Sequence, residues 1–118
     1  MLTRDKLTNE WLATVLADLG DTREKVGETL RKARVKGIRR HARFCPIARY
    51  LDRRVREHLQ PAGLVDVVVV GPCVYVTIGD LADGGYQIRA MLDEPVSAFI
   101  DAFDTVRPMG LYGDLREV

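Results

Sequence analysis

The sequence has little of what staples or anchors a chain. It holds two cysteines, Cys45 and Cys73, in 118 residues, so one disulfide is the most it can form. Nothing marks an oxidising compartment, and both are expected as reduced thiols. No apolar run exceeds four residues, as in Val67 to Val70, against the ~20 that a membrane-spanning helix needs. The opening residues, Met1 to Lys6, lead into no apolar signal core, so a soluble, cytoplasmic protein with no membrane partner is expected. A phosphate-cradling glycine loop is also missing. The glycines at 79, 84 and 85 stand beside Asp80 and Asp83, which repel phosphate, and they read as a hairpin turn instead. There is no internal repeat and no low-complexity tract.

What is there suits one globular domain. A chain 47% hydrophobic and 30% charged is neither disordered nor fibrous in composition. At this length it hides roughly two thirds of its surface on folding, enough for a core without metal or disulfide. The whole of residues 1–118 is therefore expected as a single domain, with a loosely ordered tail from about residue 109. The formal charge of +1 conceals three blocks of different sign. Residues 1–30 carry a net −2, residues 31–58 a net +9, and residues 59–118 a net −6. The charge is strongly polarised along the sequence.

Hydrophobic spacing predicts the elements. Leu7, Trp11, Val15 and Leu19 place a first helix from near Thr8 to Leu19. Asp21 with Glu24 has capping-box spacing, and Val26, Leu30 and Ala33 line a second helix that Gly37 is expected to end in a left-handed position. Cys45-Pro46 opens a third, with Ile47, Leu51, Val55 and Leu59 on its apolar face. The period then changes to two. Leu64 to Val70 and Cys73 to Ile78 read as strands joined at Gly71-Pro72, with Tyr86 to Met91 as a third. Asp93-Glu94-Pro95 marks the start of a fourth helix, whose apolar face is Val96, Phe99, Ile100 and Phe103. The expected fold is α+β: three N-terminal helices, a three-stranded antiparallel meander and a C-terminal helix, with helices on one face of the sheet.

The segments Thr22 to Leu30, Lys36 to Arg39 and Cys45-Pro46-Ile47-Ala48-Arg49-Tyr50-Leu51, with Val96 to Asp104, resemble a group of small uncharacterised proteins of actinobacteria and their phages. Members often carry a glycine- and aspartate-containing loop before the cysteine, where this chain has Arg40-His41-Ala42-Arg43-Phe44. The resemblance implies a cytoplasmic or phage-encoded protein and supplies no reaction and no catalytic residue.

Few residues offer chemistry. His41, Cys45, His58 and Cys73 make a nominal zinc set, but thirteen residues of helix between Cys45 and His58 span about 20 Å at 1.5 Å per residue, so one ion cannot hold all four. No metal and no cofactor is expected. Cys45 at a helix N-terminus beside Arg43 is where a thiol is made acidic, which leaves Cys45-dependent chemistry as the one enzymatic alternative. No base, third residue or oxyanion site accompanies it, and a non-enzymatic protein is expected. The basic block is the strongest signal. Arg49, Arg53 and Arg56 fall on one side of the third helix, and Lys25, Lys32 and Lys36 form a stripe on the second. Arg39, Arg40 and Arg43 lie between them, so a continuous cationic face would suit a phosphate backbone. The competing reading is self-neutralisation. Glu28 with Lys32, Asp52 with Arg56, and Glu57 with Arg53 or Arg54 are local pairs, and the acidic C-terminal half balances the rest within one chain or across a homodimer.

Two nucleic-acid folds can be held against the pattern. A double-stranded RNA-binding domain places lysines where this chain has Asp93-Glu94-Pro95, and a winged helix needs a shorter connector than Gly37 to Phe44. The expected function is a small regulatory binding protein, phage-related by resemblance, that meets DNA or an acidic protein surface through Lys32, Lys36, Arg39, Arg40, Arg43, Arg49, Arg53 and Arg56. The alternative is an inhibitor or adaptor that binds a host protein through the acidic end of the fourth helix and an exposed strand edge.

Overall fold

Three short side chains stop the incoming chain and start a helix. Thr8 Oγ1 accepts from the Trp11 amide at 3.0 Å and opens α1 (Asn9–Asp18); Thr22 Oγ1 accepts from Lys25 at 3.1 Å and opens α2 (Arg23–Lys32). Cys45 Sγ accepts from Ala48 at 3.4 Å and opens α3 (Pro46–His58), whose first residue is the proline that needs no amide partner. The cap of α2 is thus Thr22 rather than Asp21, which pairs with Lys25 at 3.1 Å. The computed structural model describes residues 6–59, 63–105 and 112–117. Its remaining elements are β1 (Val65–Val70), β2 (Cys73–Ile78), β3 (Tyr86–Met91) and α4 (Glu94–Asp104), with one-turn 3₁₀ helices at Leu81–Asp83 and Gly113–Leu115. This is the expected α+β layout.

The sheet is a meander in the order β1-β2-β3, antiparallel throughout. Register alternation decides what it buries. Val65, Val67 and Val69 oppose Ile78, Val76 and Val74, which in turn oppose Tyr86, Ile88 and Ala90. These side chains form the inner face, against which α3 packs at β1 and α1 at β3, while α2 lies on α4. Phe99 and Phe103 of α4, with Leu12, Leu16, Leu30, Ile47 and Leu51 from the other helices, fill the centre of the core. The opposite sheet face carries Asp66, Val68 and Val70, then Cys73, Tyr75 and Thr77, then Gln87, Arg89 and Met91. No helix among the described residues covers it. Each edge strand has a donor occupied: Val69 N–H donates to the Ala42 carbonyl and Arg89 N–H to Asn9 Oδ1, both at 2.9 Å. That blunts edge pairing at two points.

Two expectations need correction. Helix α2 ends at Lys32, well before Gly37. Its left-handed residue is Arg34, at φ 58°, with Val35 N–H bonded to Leu30 O and Arg34 N–H to Arg31 O, both 3.0 Å, in a Schellman arrangement. Lys36 is consequently in the connector and not on the helix. Gly37 is glycine for a different reason: a Cβ there would run into the Cys45–Pro46 backbone.

The second correction concerns the tail. Residues 109–111 and 118 lie outside the described residues, but 112–117 are packed rather than loose. Tyr112 and Leu115 are buried, with Tyr112 against Phe99 at 4.8 Å between ring centroids. Gly37 N–H donates to Leu115 O at 2.9 Å and Glu117 N–H to Gly37 O at 2.8 Å, a parallel bridge. Arg116 Nη2 donates to the carbonyls of Phe103 and Thr105 at 2.8 and 2.9 Å, capping the C-terminal end of α4. Tyr112, Leu115 and Arg116 together hold this segment down, although it has no helical or strand period.

Candidate functional site: an arginine cleft

The polar outer side of α3 and the start of β1 enclose an open cleft of about 360 Å³, lined by Arg43, Phe44, Arg49, Asp52, Arg56 and Asp66 together with Val65 and Val67. Three arginines line it. Helical spacing brings Arg49 and Arg56 two turns apart on α3, and the turn of residues 42–44 brings Arg43 alongside.

Each of the three has a carboxylate. Arg43 grips Asp66 with two bonds, Nε to Oδ1 at 3.0 Å and Nη2 to Oδ2 at 3.3 Å. Arg49 Nη1 donates to Glu117 Oε2 at 2.8 Å and Nη2 to Oε1 at 3.1 Å, with the Lys36 carbonyl also accepting from Nη1 at 3.1 Å. Arg56 Nε meets Asp52 Oδ2 at 3.0 Å. Hydrogen bonds from the Arg49 guanidinium hold Glu117 below the usual carboxylate range, and bonds to their carboxylates raise Arg43 and Arg49. Arg31, which lines a separate cleft with Arg34 and Lys36, does the same to Asp114 with contacts of 2.6 and 3.1 Å. Between the arginines stands Phe44, 45% exposed, with the Arg49 guanidinium 5.4 Å from its ring centroid and the His41 ring at 4.5 Å.

Of the eight residues singled out from sequence, the structure gathers Arg43, Arg49 and Arg56 into this cleft. Arg53 turns to the Ala33 carbonyl, tying α3 to the end of α2, and Lys32 and Lys36 stay exposed near it. Arg40 lies elsewhere: it lines a separate cleft of about 440 Å³ with His41, Cys45, Val69, Val70, Asp101 and Asp104, and its amide donates to Asp104 Oδ1 at 2.9 Å. Arg39 is half-buried and lines neither cleft. The local pairs Asp52–Arg56 and Arg54–Glu57 are present, the latter at 4.0 Å, whereas Glu28 with Lys32 is not among the ion pairs of the described residues. Sequence reasoning missed Phe44, Asp66 and Glu117. An exposed aromatic inside an arginine-rich loop was a usable signal for the first; the other two are joined to the cleft only by the fold.

Cys45 does not have the acidic thiol that its helix position suggests. It is 5% exposed, and burial pushes its pKa up, outweighing the amide bonds that favour the thiolate. Among the described residues no group of three or more His, Cys, Asp or Glu side chains is placed to hold a metal ion, and no helix is long and apolar enough to cross a membrane. No protein-family model, curated protein or solved structure matches the chain.

Proposed function

We propose that the chain is a non-enzymatic binding protein whose cleft of Arg43, Arg49 and Arg56 receives the phosphate backbone of a nucleic acid. The observation that carries this reading is three arginines lining one open cleft, each guanidinium paired with an exchangeable carboxylate. Exposed ion pairs are worth only ~0–1 kcal/mol, so a phosphate oxygen can replace Asp52, Asp66 or Glu117 at small cost. A guanidinium holds phosphate through the same two-pronged geometry it uses on Asp66. The resemblance of the Cys45 to Leu51 segment is what supports a cytoplasmic or phage-encoded setting.

The test is binding of labelled oligonucleotides at low salt, followed through a salt titration. Changing Arg43, Arg49 and Arg56 together to glutamine should weaken binding across sequences and flatten the salt dependence by about one ion per lost contact. Asp66→Asn should strengthen binding several-fold by freeing Arg43. Failure of the folded protein to bind any polyanion at low salt ends this reading.

A second reading has its own observation. Asp101 and Asp104 of α4 share a cleft with Val69, Val70 and Gly71, and beside it Val70, Cys73 and Met91 cross the uncovered sheet face in register, with Val70 53% and Met91 63% exposed. An acidic and apolar surface of that kind fits the inhibitor or adaptor role. A partner retained from nuclease-treated lysate by the parent and lost by Asp101→Asn with Asp104→Asn would favour it.

A further inference from the structure

We infer that the nucleic acid is single-stranded and that Phe44, with His41, is the platform on which one of its bases stacks. The inference rests on the phosphate-binding reading of the arginine cleft and names the substrate class for it.

Leaving a phenylalanine in water forgoes the stabilisation its burial would bring. Phe44 is a large apolar side chain in a turn, yet it is not used in the core: it stays 45% exposed at the rim of the cleft. Its ring already sits in an arrangement that suits a planar π-system, with the His41 ring 4.5 Å away at an interplanar angle of 30° and the Arg49 guanidinium at 5.4 Å. His41 is also exposed. The two exposed rings, with a guanidinium beside them, offer flat edges and faces in a place where cations hold the backbone.

An intact duplex offers such a group no free base face, because its bases are stacked on one another and present their edges in the grooves. A single strand has free base faces. Arginines that track phosphates beside an exposed aromatic are the physical basis of single-strand binding, and each base–aromatic stack is worth roughly tenfold or more in affinity. The cleft is short, and one aromatic pair accommodates one or two bases. Sequence preference should accordingly be weak, since every base has a π-face.

The experiment measures fluorescence anisotropy of the full chain with four labelled probes of equal length: oligothymidylate, oligouridylate, an abasic deoxyribose-phosphate strand and a duplex. Base-bearing strands should bind about tenfold more tightly than the abasic strand. Phe44→Ala should erase that margin, and Phe44→Tyr should keep it. Because Phe44 lies outside the buried core, thermal melting of Phe44→Ala should match the parent, which separates loss of stacking from loss of fold. Comparing thymidylate with uridylate tells DNA from RNA, and a margin over the abasic strand with either one supports the platform. Equal affinity for abasic and base-bearing strands overturns the inference and leaves the phosphate reading standing, as does a margin that survives Phe44→Ala. If neither the abasic strand nor any other probe binds, the phosphate reading itself falls.

Discussion

Tyr112 stands so close to Gly27 that a Cβ on the glycine would lie 2.5 Å from the ring's Cε1. The contact joins the middle of α2 to a segment 85 residues later in the chain and explains a glycine where helix propensity disfavours one. Alanine at an ordinary helix interior position stabilises by ~1 kcal/mol relative to glycine. Here the buried ring blocks it. Gly27→Ala is expected to destabilise by about 1–3 kcal/mol through overpacking, read by chemical denaturation. A higher denaturation midpoint would mean that Tyr112 does not occupy this position in solution.

Arg34 gives the opposite sign. At φ 58° it occupies the left-handed end of the Schellman turn, where glycine has no Cβ to strain. Arg34→Gly is expected to stabilise by about 0.5–1 kcal/mol, after allowing for the added freedom of glycine in the unfolded chain. A lower denaturation midpoint would mean that Arg34 does not hold this left-handed conformation in solution.

The acid response follows from two carboxylates. Hydrogen bonds from Arg31 and Arg49 hold Asp114 and Glu117 below the usual carboxylate range in the folded state. Their stabilisation is therefore complete above the ordinary value of about 4 and is lost as pH falls through the lower folded-state values. A double variant, Asp114→Asn with Glu117→Gln, should melt slightly below the parent at neutral pH, and the gap should close on acidification below the ordinary carboxylate range. Both groups are well exposed, so the gap is small. A gap that stays constant with pH would show that the pairs do not form.

The element order was legible because its signals are local. A threonine or a cysteine–proline pair before an apolar face, and the change of period at Leu64, need no knowledge of the rest of the chain, and β3 runs over the expected residues Tyr86–Met91. Gly37 misled because a glycine after a helix normally marks its left-handed end. Its real constraint is the approach of the Cys45 carbonyl carbon, 2.6 Å from where a Cβ would stand, and that is a tertiary fact. The cleft was half legible. Helical spacing groups Arg49 with Arg56, but Arg49 with Glu117 and Arg43 with Asp66 lie 68 and 23 residues apart and leave no local trace. The ion pairs of the self-neutralised reading exist among the described residues, and they lie at the surface.

The parallel bridge between Gly37 and residues 115–117 also bears on the order in which the chain is made. Synthesis runs from the N-terminus, and α1 to α4 emerge before Tyr112 and Leu115 are available. Until then Gly27 faces no ring, the carbonyls at the end of α4 lack the Arg116 guanidinium, and Gly37 has no strand-like neighbour. A nascent chain stalled in that interval carries an open seam between α2 and α4. Closing it waits for residues 112–117, which follow α4 in the chain.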